Sequence, residues 1–247
     1  MTRCDCFIRK GDLIVSIDGV LFPFLPDDSQ KAMYYGLFEP EVSGAIHRLL
    51  RPGGCFVDVG ANVGYFSAIA AAVVGPSGRV FAFEPHDQHY LRLNLFVDMN
   101  CPACSVHAYQ AAVCESDGIV SFYESNQPGR HSLELERVDP QQFLRERKVR
   151  SICLDSFARD NHLERIDLLK IDVEGAEHRV LLGARSLLKE KRIGQIIVEI
   201  FHPGKNVPPP LLDELEVLGL EVVDAKTWKY PVASPTRTTS NAVCKPR

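Results

Sequence analysis

Acidic side chains stand at the ends of several apolar stretches of this sequence. Asp58 lies in FVDVG, Glu84 follows RVFAF, and Asp172 follows LLKI. Glu199 lies in QIIVEIF, and His202 comes directly after that stretch. If these stretches are parallel strands, their carboxyl ends meet at one edge of a sheet, where open α/β sheets bind ligands. Carboxylates and an imidazole gathered there can accept protons, bond hydroxyl groups or attract a cation.

The segment FVDVGANVGYFS predicts a strand, a glycine turn and the start of a helix. Gly60 and Gly64 allow the backbone to approach a ligand closely. A dinucleotide site has the pattern G-x-G-x-x-G, in which backbone amides hold the pyrophosphate. Here Asn62 replaces the second glycine, and Asp58 would repel a pyrophosphate. The turn therefore favours a cationic cofactor without phosphates, such as S-adenosylmethionine, whose ribose Glu84 could hold.

Strands and helices must alternate for these residues to meet. Apolar stretches predict strands at residues 55–60, 79–85, 106–113, 166–174, 195–201 and 220–223. Helical patterns follow most of them, including one over residues 178–191. This alternation predicts an α/β domain with a doubly wound, Rossmann-like sheet that has helices on both faces. Residues 119–125 predict one more, peripheral strand, whereas residues 126–150 show no clear pattern.

The sequence predicts two parts, an N-terminal extension and a cofactor-binding domain. Residues 1–50 are predicted to be an N-terminal extension, made of a β-hairpin and a helix over residues 29–50. The hairpin prediction rests on alternating apolar residues before the turn dipeptide Asp18-Gly19. Residues 51–247 are predicted to form the cofactor-binding domain.

Composition narrows the classes of partner. The chain has 247 residues, with 28 basic and 32 acidic side chains and a formal net charge of -4. A nucleic-acid binder usually has a basic excess on one face, so no nucleic-acid partner is expected. The densest basic run, residues 145–150, is interpreted as a solvated helix end and loop. No run approaches ~18 apolar residues, so we expect no membrane span and a cytoplasmic protein. The oligomeric state stays open.

The cysteine pairs do not predict a metal site. Cys4 and Cys6 form one close pair, and Cys101 and Cys104 form another. Their spacing resembles no strong zinc signature, and no histidine pair completes either of them. We therefore expect no metal ion.

Four segments together resemble one enzyme family. FVDVGANVGYFS, RVFAFEP, IDLLKIDVEGAE and IIVEIFH follow one another as they do in the FkbM family of methyltransferases, over residues 50–202. The resemblance implies a seven-stranded methyltransferase sheet, the cofactor S-adenosyl-L-methionine, and O-methylation of a hydroxyl on a sugar or natural-product-like small molecule. By position it implies these cofactor-binding residues: Asp58, Gly60, Ala61, Asn62, Gly64, Tyr65, Glu84, Pro85, Ala111 and Ala112.

A hydroxyl acceptor needs a general base to become a good nucleophile. Asp172 and His202 are the candidates, with Glu199 orienting or tuning them and Lys170 pairing with the carboxylate of Asp172. A divalent ion held by Asp172 and a neighbouring acid could do the same work. His131 is a further, weaker candidate over the cleft.

Other interpretations remain open at this stage. An NAD(P)-dependent oxidoreductase shares the strand, the turn and Glu84, and a non-catalytic cofactor-binding module would share all of them. Glu84 could instead cap the following helix, and Glu174 and Glu177 could begin the next one, where negative charge is favourable. The aromatic residues Tyr34, Tyr35 and Phe38 are interpreted as packing residues, whereas Tyr65 could contact substrate.

Overall fold

A computed structural model describes residues 4–9, 12–17, 20–23, 33, 38–100, 106–127, 130–201, 210–224 and 239–246. Among the predicted site residues, His202 lies outside the described residues, as do Tyr34, Tyr35, Cys101 and Cys104. The strands are β1 (Cys4–Arg9), β2 (Asp12–Ile17), β3 (Val20–Pro23), β4 (Cys55–Val59), β5 (Arg79–Phe83), β6 (Val106–Tyr109), β7 (Ala112–Val113), β8 (Gly118–Ser125), β9 (Phe143–Ile152), β10 (Ile166–Ile171), β11 (Ile193–Phe201), β12 (Leu220–Asp224) and β13 (Thr239–Pro246). The α-helices are α1 (Pro40–Leu49), α2 (Tyr65–Val74), α3 (Asp87–Asn100), α4 (Leu154–Asp160), α5 (Glu177–Leu182), α6 (Arg185–Lys189) and α7 (Pro210–Val217).

Seven strands form the central sheet, in the order β12-β13-β11-β10-β4-β5-β6. The pairs from β11 to β6 are parallel, and β13 pairs antiparallel with both β11 and β12. All five residues of β4 are buried, as expected for a strand covered on both faces. The predicted α/β, Rossmann-like seven-stranded sheet is thereby confirmed.

Helices cover both faces of this sheet because its strands alternate apolar side chains between them. Phe56 of β4 packs into a core formed with α1, α2 and α3. Its neighbour Val57 packs into a second core, formed with α4, α5, α6 and α7. Each face of the sheet therefore has its own apolar core, and the carboxyl ends of the strands are left for the site.

The N-terminal strands pair as an antiparallel sheet in the order β1-β2-β3, so the predicted hairpin is a three-stranded meander. The helix predicted over residues 29–50 is described only in part, as α1 and Met33. The division into a 1–50 extension and a 51–247 domain stays a prediction. In the described part of the chain, no helix combines the length and apolarity needed to cross a membrane.

Two local predictions are wrong for identifiable reasons. The basic run 145–150 belongs to β9, which pairs antiparallel with β8, rather than to a helix end and loop. Its charges gave no apolar pattern because most of β9 is exposed. The helix predicted over 178–191 is two short helices, α5 and α6. At Gly183 between them, an added Cβ would lie 2.1 Å from the carbonyl oxygen of Cys114, so the chain must bend past that strand end.

Candidate active site

A cleft of about 1030 Å³ opens at the carboxyl ends of the central strands. Gly60 after β4, Glu84 after β5, Asp172 after β10 and Glu199 in β11 all line it. The structure thus brings together residues from four strands that the sequence analysis placed at one edge. Seven further predicted residues also line the cleft: Ala61, Asn62, Tyr65, Pro85, Ala111, Ala112 and Lys170.

The turn after β4 passes directly beneath the end of β10. Gly60 has a φ of 77°, and a Cβ added there would lie 1.8 Å from the carbonyl oxygen of Asp172. The amides of Gly60 and Ala61 both donate to the carbonyl oxygen of Phe83, at 3.0 and 2.9 Å. The turn is therefore fixed to β5 on one side and pressed against β10 on the other. Only glycine fits this position.

Glu84 is held by backbone amides on both of its oxygens. Oε2 accepts from the amide of Asn62 and Oε1 from that of His86, each at 2.8 Å. The residue is only 6% exposed, and this burial raises the pKa of its carboxyl to about 7 despite the two hydrogen bonds. Each oxygen of a carboxylate has a second lone pair, so Glu84 can also accept from two ligand hydroxyls.

A buried lysine links the turn to the strand ends. The Nζ atom of Lys170 lies 3.2 Å from Oδ2 of Asp172, 3.4 Å from Oδ1 of Asp58 and 3.4 Å from the carbonyl oxygen of Gly60. It also lies 5.2 Å from the ring centre of Phe66. Burial alone would lower the pKa of Lys170, but the carboxylates around it outweigh burial and raise that pKa. The sequence placed Lys170 beside Asp172, and the structure has them in contact.

Two predicted cofactor residues lie behind the cleft wall rather than in it. Asp58 is fully buried, and its Oδ2 accepts a hydrogen bond from Oγ of Ser67 at 2.7 Å. It acts on the cleft through Lys170. Gly64 has a φ of 90° and precedes the first turn of α2. A Cβ added to Gly64 would lie 2.8 Å from Leu93, so this glycine allows α2 and α3 to pack together.

Sequence reasoning missed one carboxylate of the cleft. Glu39 lies immediately before α1, and its Oε2 accepts from Nδ2 of Asn241 in β13 at 3.3 Å. Burial, together with the negative charge of Asp172, raises the pKa of Glu39 to about 7. The only signal in the sequence was an acid before Pro40, which is typical of a helix start. That signal says nothing about a cleft formed by strands far along the chain.

Strained backbone is concentrated around this cleft. Glu39, Asn62 and Glu174 line it and have φ values of 39°, 52° and 55°, a region that side chains other than glycine rarely adopt. Such strain is often found where a site needs a fixed geometry. Burial and the charge of Asp172 raise the pKa of Glu174 to about 7, although Arg130 lies 3.4 Å from its Oε2. Glu177 begins α5, as one of the open interpretations had it.

The described residues between β8 and β9, 126–127 and 130–142, cover one end of the cleft. Oγ of Ser132 donates to the carbonyl oxygen of Glu174 at 2.8 Å, and His131 lines the cleft. Tyr65 also lines it but is only 2% exposed, and its ring packs on Phe66 with centroids 5.1 Å apart. Phe38 packs on the same two rings, which agrees with its interpretation as a packing residue.

The charges of the cleft favour a cationic ligand that carries hydroxyl groups. Glu39, Glu84, Asp172, Glu174 and Glu199 all line it. Lys170 is the only lysine or arginine among the described lining residues, and it is already paired with two carboxylates. The carboxylates would repel a phosphate group, and Lys170 would offset little of this repulsion. The cleft therefore suits a phosphate-free cofactor.

Comparison with known proteins places this chain in a recognised family. A family model described as the methyltransferase FkbM domain matches residues 58–221. Methyltransferase sdnD of Sordaria araneosa is 30% identical over 199 residues, which cover 70% of this chain and 76% of that protein. The 2-O-methyltransferase NoeI of Sinorhizobium fredii is 27% identical over 177 residues, which cover 64% of this chain and 70% of that protein.

A solved structure shares the fold. The crystal structure of methyltransferase FkbM from Methylobacillus flagellatus matches with a TM-score of 0.50 and 16% identity. The match covers 90% of this chain and 56% of that one, so the present chain spans little more than half of that longer protein.

Proposed function

Because this chain belongs to the FkbM family of methyltransferases, we propose that it transfers a methyl group from S-adenosylmethionine to a hydroxyl oxygen of a sugar-like or natural-product-like small molecule. The observation that carries the proposal is the joint geometry of the Gly60 turn and Glu84 at the ends of β4 and β5. The similarity to a 2-O-methyltransferase supports oxygen as the accepting atom.

The residues present fit such a cofactor. Glu84 has lone pairs left for the two ribose hydroxyls, and Gly60 lines the cleft where the amino-acid tail would lie. Pro85, Ala111 and Ala112 offer an apolar wall for adenine. When bound, S-adenosylmethionine supplies a methyl group already activated by a sulfonium cation, so the protein mainly has to align donor and acceptor.

The protein must also remove the proton of the acceptor hydroxyl as the oxygen attacks. Two cleft carboxylates can take it. Asp172 stands at the end of β10 and is oriented by Lys170 at 3.2 Å. Glu39 has a pKa of about 7, which is well matched to a general base at neutral pH. Glu199 lies beside them as an orienting group, and His202 stays a predicted base outside the described residues.

Polyhydroxylated acceptors suit this half of the cleft. Glu39, Asp172, Glu174 and Glu199 are carboxylates, which accept hydrogen bonds from hydroxyl groups and cannot donate when ionised. Sugars offer several hydroxyls on neighbouring carbons, so more than one carboxylate can be engaged at once. The acceptor is then fixed in orientation before the methyl group moves.

Calorimetry tests the cofactor half of the proposal. We expect S-adenosylhomocysteine to bind the full chain at micromolar concentration, with no binding of NADH or NADPH under the same conditions. Glu84→Ala should weaken binding by at least ~10-fold, because two hydrogen bonds to a buried charged group are lost. Binding of NADH without S-adenosylhomocysteine would overturn the proposal, and binding without transfer to any acceptor would support a non-catalytic module.

Mass spectrometry of a sugar and natural-product panel tests the acceptor half. Once an acceptor is found, Glu39→Gln or Asp172→Asn should lower kcat by ~10² to 10⁴, the usual contribution of a general base. Glu164→Gln, at an exposed position, serves as the matched control and should leave kcat unchanged. If both cleft variants keep full turnover, the base assignment is wrong.

A further inference from the structure

Three histidines meet at the wall of the cleft beside Glu84. His86 and His89 stand at the start of α3, and His131 comes from residues 126–142 between β8 and β9. Their ring centroids are 4.2 Å apart for His86 and His131, 4.4 Å for His86 and His89, and 5.4 Å for His89 and His131. One potential ligand nitrogen from each lies within 4.8 Å of the other two.

We propose that His86, His89 and His131 form a binding site for a transition-metal ion, with Zn²⁺ as its natural occupant. Zinc–nitrogen bonds of about 2.0–2.1 Å in tetrahedral geometry place the ring centres of two imidazole ligands about 5 Å apart. The observed separations are already close to that value. The rings of His86 and His131 are stacked with only 7° between their planes, so one of these two rings must turn for both to bind one ion.

Lone pairs are available for such an ion. Nδ1 of His86 is buried and has no hydrogen-bond partner among the described residues. An unpaired buried polar atom of this kind calls for a water molecule or an ion. Nδ1 of His131 accepts a hydrogen bond from the amide of Ser125 at 3.0 Å, so that nitrogen carries a lone pair and not a proton. Binding the ion through Nδ1 would exchange this one amide for the metal.

Carboxylates stand behind two of the rings, as they do around most histidines that bind metals. Nε2 of His86 lies 3.9 Å from Oε1 of Glu124. Glu124 is only 1% exposed and is held by Arg145 at 2.6 Å and Arg147 at 3.0 Å. This charge favours the proton of His86 on Nε2, which leaves Nδ1 for the ion. Similarly, Nδ1 of His89 lies 3.9 Å from Oε1 of Glu84.

An ion bound at this site would connect two parts of the cleft wall. An ion here would join the covering segment that carries His131 to the turn that follows Glu84. Three protein ligands would leave a fourth coordination position for water or a solute, as in zinc sites that are not purely structural. The sequence did not predict this site because His86-x-x-His89 supplies only two ligands, and the third is brought in by the fold.

Titration of the metal-free full chain with Co²⁺ tests the proposal, because tetrahedral Co²⁺ has a strong visible absorption. We expect one equivalent to bind, Zn²⁺ to displace it, and His86→Asn or His131→Asn to weaken binding by at least ~100-fold through the loss of a ligand. Glu124→Gln should weaken it ~10-fold, the typical effect of altering a partner of a metal ligand. The exposed His178→Asn is the matched control and should bind normally.

Several outcomes would overturn the proposal. One is that the wild-type chain takes up no Co²⁺ or Zn²⁺ at ~100 μM, a concentration far above the Kd of sites that function in proteins. Another is that binding is lost with Glu199→Gln and kept with His131→Asn, which places the ion at the cleft carboxylates. Circular dichroism of each variant establishes that it is folded, and a wild-type chain that takes up no metal overturns the proposal even if a variant is not folded. None of these measurements depends on methyl transfer.

Discussion

At the scale of single residues, the cleft holds several carboxyl groups that titrate near neutrality. Glu39, Glu84 and Glu174 each have a pKa raised to about 7, and burial is the largest cause in every case. Lys170 balances only part of the negative charge that these groups and the aspartates would carry together. The cleft therefore carries net negative charge when these groups are ionised, and a bound cation would offset it.

We expect Glu84 to make cofactor binding depend on pH. An ionised carboxylate accepts hydrogen bonds from ribose better than a protonated one, and the pKa of Glu84 is about 7 in the free protein. The ionised fraction falls as pH drops below 7, so affinity for S-adenosylhomocysteine should fall by up to ~10-fold per pH unit there. Calorimetry at pH 6, 7 and 8 measures this, and Glu84→Gln should flatten the change. An unchanged slope in that variant would assign the titration to another acid.

Lys170 is expected to matter for stability as well as for the site. Its removal in Lys170→Met leaves Asp58 fully buried and without its cationic partner. Breaking a buried ion pair from one side typically lowers the free energy of unfolding by about 3–5 kcal/mol. Urea denaturation at pH 7 checks this. Lys170→Met combined with Asp58→Asn should recover part of the loss, and a single-variant effect below about 1 kcal/mol would contradict the expectation.

Residue-level prediction from the sequence succeeded where a side chain follows an apolar strand. Glu84, Lys170 and Asp172 were placed at one edge because parallel strands share that edge, and the structure has them around one cleft. Glu39 was missed because its contact with Asn241 depends on how two distant segments pack. Asp58 was expected to line the cleft, but the inward pleat of β4 buries it completely.

At the scale of elements, the site depends on how closely β4 and β10 approach each other. The two strands pair in parallel, with Lys170 opposite Asp58 and Ile171 opposite Val59. The next residue after this register is the Gly60 turn, so the cleft begins where the ladder ends. Any group larger than hydrogen at position 60 must push the two strand ends apart.

The substitution Gly60→Ala tests how closely the ends of β4 and β10 must approach each other. The added Cβ would meet the carbonyl oxygen of Asp172 at 1.8 Å and would also require a φ of 77°. We expect the free energy of unfolding to drop by about 3 kcal/mol or more, and S-adenosylhomocysteine binding to be lost, since overpacking and strain add. Gly44→Ala in α1, where nothing lies within 4 Å, is the matched control and should be neutral or stabilising. Equal stability of the two variants would contradict this account.

Elements were predictable from the sequence to the extent that they are buried. The parallel strands β4, β5, β10 and β11 are apolar and were all found. The exposed strand β9 was not found, because its charged residues show no apolar pattern. Its extended conformation is stabilised by pairing with β8. The break between α5 and α6 escaped notice because it is imposed by the contact of Gly183 with Cys114.

At the scale of the whole molecule, β13 joins parts that are far apart in the chain. It lies between β11 and β12, buries Ala242, Val243 and Cys244, and carries Asn241 to Glu39. Neither the strand nor its antiparallel position was predicted, because its sequence has no strong apolar alternation and strand order is a property of the complete fold.

Removing residues 225–247 should therefore cause a global defect. The edge of β11 and the whole of β12 would lose their pairing partner, and exposed strand edges favour aggregation. We expect the truncated chain to elute as aggregates in size-exclusion chromatography and to bind no S-adenosylhomocysteine. Asn241→Ala in the full chain is the milder comparison and should leave the fold intact. A monomeric, cofactor-binding truncated chain would show that β13 is dispensable.

The position of β13 also orders events during protein synthesis. A nascent chain that has emerged as far as β11 already contains Gly60, Glu84 and Asp172, but the edge of β11 still lacks its partner β13. β12 must then wait, because the strand that separates it from β11 is translated after it. Contacts of such long sequence separation form late and slowly. The contact of Asn241 with Glu39 is therefore completed last, and the sheet beside the cleft closes only when β13 pairs with β11.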